Sequence, residues 1–244
     1  MLLVIDVGNT RVKLFVYEDN ELISQQALLH DNFYENFLIF FKQNATISHV
    51  ILSSVGNLDL KVIEFLKKHT AFTQVTYQSA LPFVNDYATP ATLGVDRIVL
   101  AAGAVLDYPN QNRLVIDLGT CITYDFITAD NHYKGGAISP GLQMRYQALA
   151  HFTAKLPLLS FEEPDYLIGN TTNQSIQSGV FNGFVNEING FIADYEKHFT
   201  NLAVILTGGD CEVLSKKIKS NIFVTPNFLT DSLKKLHDYI ATTQ

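Results

Sequence analysis

Apolar and polar positions along the chain fall into two successive copies of one pattern. Residues 2–5 are apolar without interruption and run into Asp6, which predicts a strand covered on both faces. Alternation resumes over 11–17 and 21–27, so the chain opens with three short strands, the last two separated by Glu18-Asp19-Asn20. Asp31 as a cap predicts a helix through Asn44, with Phe33, Phe37, Leu38 and Phe41 along one face. Residues 49–55 predict a buried strand, 58–69 an amphipathic helix and 72–77 another strand. The helix ends in Lys67-Lys68, the sign that suits a helix C-terminus. A loop with Pro82 and Pro90 spans 79–92, and a helix over 95–105 closes the first half.

The second half repeats the order. Strands are predicted at 114–118, 122–128 and 133–138, then a break at Ser139-Pro140-Gly141 and a helix over 142–151. An irregular stretch, 153–170, leads to a long helical pattern over 172–198, with interruption expected near Gly179, Gly183 or Gly190. A strand at 203–206, a turn at Gly208-Gly209-Asp210, a helix over 212–219, a strand at 222–225 and a helix over 228–241 complete the pattern. Each half reads β-β-β-α-β-α-β-α, with one extra helical region in the second. A three-strand meander followed by alternating helices and strands predicts a mixed sheet carrying helices. Both halves open alike, with Leu3-Val4-Ile5-Asp6 before Gly8 and Leu114-Val115-Ile116-Asp117 before Gly119. Duplication accounts for this better than coincidence. The expected architecture is α/β in two lobes, 1–112 and 113–244, with mixed sheets flanking a ligand cleft.

Composition narrows the class. The chain has 244 residues, 47% hydrophobic and 17% charged, which is globular and without disorder signatures. Its net charge of −7 and lack of a basic tract argue against a nucleic-acid partner. No apolar run approaches a membrane span, and residues 1–7 go straight into strand pattern without a basic leader. A cytoplasmic protein is the expectation. Cys121 and Cys211 are far apart, and the seven histidines show no metal-ligand spacing.

Chemistry concentrates at the repeated phrase. A carboxylate closing a core strand is costly unless it faces a cation. Asp6-Val7-Gly8-Asn9-Thr10, with Lys13 beyond, adds glycine-exposed amides, polar side chains and a positive charge, the groups that hold polyphosphate and Mg²⁺. A plain hairpin turn would look similar, but the second copy at Asp117-Leu118-Gly119-Thr120 favours function. Leu206-Thr207-Gly208-Gly209-Asp210 joins a buried strand to a helix with glycines that admit close backbone or ring approach. Gly94-Val95-Asp96-Arg97 sets a carboxylate beside a guanidinium at a helix start. Such a pair is commonly a helix-start Asp with a solvated Arg; functionally, Asp96 would take a hydroxyl proton while Arg97 holds an acid.

These motifs, with Gly135-Gly136-Ala137-Ile138-Ser139-Pro140-Gly141, occur in the order that resembles type III pantothenate kinases over most of the chain. That family belongs to the actin, heat-shock ATPase and sugar-kinase superfamily, so the resemblance implies a duplicated ribonuclease-H-like fold around a nucleotide cleft. It implies ATP-dependent phosphorylation of pantothenate, the first step towards coenzyme A. The turn Asp6, Val7, Gly8, Asn9, Thr10, Arg11, Val12 and Lys13 would be the first ATP phosphate loop, with Asp6 near Mg²⁺. Asp96 would be the catalytic base, and Tyr87, Gly94, Val95, Arg97 and Thr172 would join it in binding pantothenate. Asp117 would bind an activating K⁺ or NH₄⁺, Thr120 would be a second ATP contact, and Gly208-Gly209 the adenosine-side turn. A homodimer is implied, with Thr172 reaching the partner's substrate. The sequence departs from the family pattern at Phe15, where many members have glycine, and at Cys121, where a small residue is usual. Two rival readings stay open: a kinase or phosphohydrolase for another hydroxy acid, and a nucleotide-binding regulatory protein, since family members have been named as accessory factors for toxin gene expression.

Overall fold

The computed structural model describes residues 1–243. The chain begins with β1 (Leu2–Val7), β2 (Arg11–Glu18) and β3 (Glu21–Leu29), followed by α1 (Phe33–Gln43), β4 (His49–Ser54), α2 (Leu60–His69) and β5 (Ala71–Gln74). A two-residue strand, β6 (Val84–Asn85), and a single 3-10 turn at Pro90–Thr92 precede α3 (Val95–Asp107). Next come β7 (Asn112–Leu118), β8 (Cys121–Ile127), β9 (His132–Pro140), α4 (Leu142–His151) and α5 (Thr172–His198). The last elements are β10 (Leu202–Thr207), α6 (Cys211–Ser215), β11 (Phe223–Val224) and α7 (Phe228–Thr243).

The first compact unit holds Met1–Asp107 together with α7; the second is Tyr108–Asn227. The boundaries therefore fall at 107/108 and 227/228, and the last helix, expected in the second lobe, belongs to the first unit. Its apolar stripe explains this: Phe228, Leu233, Leu236 and Ile240 are all buried. α7 lies so close to α3 that a Cβ on Gly103 would collide with Ser232. Lys235 adds an ion pair to Asp107 at 2.5 Å.

In the first unit the strand order is β3-β2-β1-β4-β5, with β1 antiparallel to β2 and parallel to β4. In the second, β9-β8-β7-β10-β11 reproduces that order, with β7 antiparallel to β8 and parallel to β10. The repeated strand grammar is a structural duplication, the ribonuclease-H-like fold of actin-type ATPases. Each first strand is the sheet's centre, which is why Leu3–Ile5 and Leu114–Ile116 are completely buried.

Several local expectations shift. Asp31 does not cap α1; Asn32 precedes the helix in the left-handed region (φ 55°) and makes no side-chain cap. α5 runs 27 residues without a break, because no neighbour lies within 4 Å of where a side chain on Gly179, Gly183 or Gly190 would start. Absence of crowding leaves those glycines a propensity cost of about 1 kcal/mol each, too little to break a helix that buries Phe181, Phe184, Ile188 and Ile192. α6 is only five residues and β11 only two, shorter than periodicity predicted. Among the described residues no helix is long and apolar enough to cross a membrane.

Candidate active site

In the first unit, the β1–β2 hairpin sets Asp6 opposite Lys13. Gly8-Asn9-Thr10 makes the turn, where the Gly8 N–H donates to the Arg11 carbonyl at 3.0 Å. Asn9, Thr10, Arg11 and Lys13 are exposed, while Val7 and Val12 point into the core. From the β4 side, the Val55 N–H donates to the Val7 carbonyl at 3.0 Å. Gly56 follows, and a Cβ there would stand 3.0 Å from the Gly8 carbonyl oxygen. Asp6 itself is 6% exposed. Burial lifts its pKa to about 6, with Lys13 opposing the rise and the negative charge of Asp96 adding to it.

Asp96 enters from the first turn of α3. Its Oδ1 accepts the Arg97 N–H at 2.8 Å, and a Cβ on Gly94 would run into that oxygen. The Gly-x-Asp spacing is therefore steric: the carboxylate folds back over residue 94. Burial raises the Asp96 pKa, while the backbone hydrogen bond and charge of Arg97 pull against the rise. Arg97 is buried, with its guanidinium 5.8 Å from the centre of the Tyr87 ring. Tyr87 is held in turn by its N–H on Asn85 Oδ1 at 3.1 Å. The unit thus gathers Asp6, Lys13, Asp96, Arg97 and Tyr87, with Gly94 and Val95 at the turn. A carboxylate of raised proton affinity beside a buried guanidinium can take a hydroxyl proton while an acidic group is held next to it.

The second unit builds its counterpart. Asp117 lies opposite Thr207 on β10 and Thr123 on β8. Gly208 has φ +92°, and a Cβ there would collide with both Asp117 Oδ1 and the Leu118 carbonyl oxygen. Glycine at 208 therefore lets the β10–α6 turn pack directly against the end of β7. Gly209 is open to solvent on its Cβ side. The Gly119 N–H donates to Cys121 O, and the Gly141 N–H donates to Thr120 O, each at 3.1 Å.

Thr172 stands apart from these groups, in the first turn of α5. It lines a cavity of about 910 Å³ in the second unit together with Arg145, Thr171 and Ser175. Arg145 was not visible in the sequence as a site residue; its guanidinium bonds Glu187 at 2.5 Å and lies 5.1 Å from the Phe184 ring centre. Its position four residues after Gly141, in a helix opened by Pro-Gly, was the only available signal. His30, which bonds the Gly8 carbonyl at 3.0 Å, gave no sequence signal at all.

The residues fit a magnesium ion held partly by substrate. Mg²⁺ in kinases typically takes one or two carboxylates and completes its shell with phosphate and water. Asp6 is such a carboxylate, with burial opposing its charge. Among the described residues no cluster of three or more His, Cys, Asp or Glu could hold a metal without substrate. A stability prediction follows from the same burial. Asp6 has its folded pKa raised from the ordinary 3.8 to about 6, so its contribution is full below pH 3.8 and is lost as pH rises through 6. At pH 8 the ionised group then costs the metal-free fold on the order of 3 kcal/mol. Asp6→Asn is expected to be more stable than the parent at pH 8, by about 1–3 kcal/mol, and equal to it near pH 3.5. Urea unfolding at the two pH values checks this; a variant less stable at pH 8 refutes it.

Two sheets of one strand order, each ending its central strand in a carboxylate and a glycine turn, define the class: proteins of the actin-type ATPase fold. The fold matches a glucokinase from an Antarctic psychrotroph (TM-score 0.53, 14% identity, 97% of this chain and 98% of that one). It also matches a Campylobacter jejuni chain described as of the Baf family of transcriptional activators (TM-score 0.65, 21% identity, 98% and 99% covered). The type III pantothenate kinase model matches residues 2–194. The Flavobacterium johnsoniae type III pantothenate kinase is 46% identical, with 98% of each chain covered. The chain belongs to the type III pantothenate kinase family.

Proposed function

We propose that this protein transfers the γ-phosphoryl group of ATP to the hydroxyl of pantothenate, forming 4′-phosphopantothenate, as a homodimer in the cytoplasm. The observation that carries the reading is Asp96: a partly buried carboxylate of raised pKa, fixed on α3 by Gly94, next to buried Arg97 and within electrostatic range of Asp6. Phosphoryl transfer asks mainly for positioning and charge neutralisation. Arg97, with Tyr87 beside it, holds the pantothenate carboxylate, and Gly94 and Val95 shape that turn. Asp96 orients the substrate hydroxyl and accepts its proton as the new P–O bond forms. Asp6 to Lys13 cradle the phosphates through turn amides, and Lys13 offsets their charge. Within the second unit, Thr120 is read as a further ATP contact and Gly208-Gly209 as the adenosine-side turn. Asp6 would hold Mg²⁺, and Asp117 would hold K⁺ or NH₄⁺; bound there, the cations would neutralise phosphate charge.

The dimer reading rests on the second unit. Phe152, Leu158, Leu167 and Ile168, in the segment between α4 and α5, are 62–85% exposed, and Thr172 lies shortly after them in the chain. A coupled assay of ADP release, with and without pantothenate and with K⁺ against Na⁺, tests the activity. Pantothenate-dependent ADP release stimulated by K⁺ is expected, from a species that sediments as two copies. ATP binding without phosphopantothenate would instead favour a regulatory role, and transfer only to water would favour a phosphohydrolase.

A further inference from the structure

We propose that His30 is a positioning residue for the first phosphate loop, setting the direction in which the loop presents its amides. This rests on the reading of Asp6–Lys13 as a phosphate-holding turn. His30 directly follows β3, and its Nε2 lies 3.0 Å from the Gly8 carbonyl oxygen. A carbonyl only accepts, so Nε2 carries the proton and donates, whichever charge state the ring adopts. The acceptor is the carbonyl of the Gly8–Asn9 peptide, in a backbone without cis bonds. In a planar trans peptide the C=O and N–H point in opposite directions. Fixing the Gly8 carbonyl towards His30 therefore fixes the Asn9 N–H away from it, out of the exposed tip of the turn.

The other groups around this peptide do not do that work. The Gly8 N–H is spent on Arg11 O, and Gly56 approaches the same carbonyl with no side chain and no donor aimed at it. Glycine at position 8 lowers the barrier to turning the peptide over. Without the imidazole, rotation about that peptide would point the carbonyl, a negative dipole, to where phosphate oxygens must sit.

The duplicated unit carries a related contact. In the second unit, the residue directly after the third strand is Gly141, in the place His30 occupies after β3. Its N–H donates to Thr120 O at 3.1 Å, and a Cβ on it would collide with the Gly119 and Thr120 carbonyl oxygens. The residue after the third strand thus bonds the hairpin turn in both units, at the Gly8 carbonyl in one and, one position further along, at the Thr120 carbonyl in the other.

The test uses the full chain with three substitutions. A glutamine amide can place its nitrogen near the position of histidine Nε2, whereas asparagine is too short. His30→Ala is expected to weaken binding of an imido-bridged ATP analogue about tenfold, the worth of one hydrogen bond. KM for ATP should rise in step, with KM for pantothenate unchanged. His30→Gln should restore parent-like affinity, and His30→Asn should resemble alanine. Unchanged analogue affinity in His30→Ala overturns the proposal. So does a rise in both KM values, or a glutamine variant no better than asparagine. If the parent forms no phosphopantothenate, the kinase reading fails, and analogue affinity still decides the role of His30.

Discussion

Asp96→Asn is expected to fold, to bind ATP and pantothenate with near-parental affinity, and to turn over about 10²–10⁴-fold more slowly. The asparagine carbonyl oxygen can still accept the Arg97 N–H that the carboxylate accepts at 2.8 Å, so the first turn of α3 keeps its shape. Gly94 still leaves room above it. What disappears is the site for the proton released as the hydroxyl attacks. A second signature distinguishes lost basicity from disturbed geometry. Burial raises the parent Asp96 pKa, so the parent loses activity as acid protonates this base, an acid limb in kcat set above the ordinary carboxylate value. The variant should lack that limb. Measuring kcat against pH for both proteins decides the matter, and near-normal turnover in the variant would remove the role of Asp96 as base.

Gly208→Ala is expected to damage the second unit as severely. Residue 208 has φ +92°, a region that costs a side-chain-bearing residue of order 1–3 kcal/mol. The added methyl also meets Asp117 Oδ1 and the backbone of Leu118. Backbone cannot rotate aside as a surface side chain can, so the end of β7 must shift. We expect a loss of roughly 3 kcal/mol or more in unfolding free energy, with ATP affinity and K⁺ stimulation both impaired. Gly209→Ala is the control: its Cβ would meet nothing within 4 Å, so its melting temperature should hardly move. Equal stability of the two variants in denaturant titrations would contradict this steric account.

The sequence made the doubled strand grammar legible because central strands must be apolar on both faces, and Leu3–Ile5 and Leu114–Ile116 are. It also marked the carboxylates at 6, 96 and 117, since charged groups beside apolar runs and glycines stand out. What it could not convey was long-range geometry. Residues 228–241 read correctly as a helix, yet nothing in its apolar spacing says that its partner is α3, more than a hundred residues earlier. Why residue 94 must be glycine needs the Asp96 side chain folded back over it. His30 was hidden because a single histidine after a strand has no pattern; only its bond to Gly8 distinguishes it.

The membership of α7 in the first unit has a consequence for biosynthesis. The second unit is an insertion in the first, and a chain elongating on a ribosome makes Tyr108–Asn227 between α3 and the helix that covers it. At about 5–20 residues per second this interval lasts on the order of ten seconds. At its end the second unit has its whole sequence, while α3, with Asp96 at its start, still waits with the face that will meet Ser232 uncovered. The nascent protein therefore completes the second unit first and the unit carrying Asp96 last, and a ribosome that stalls late in the message leaves the first unit without its last helix.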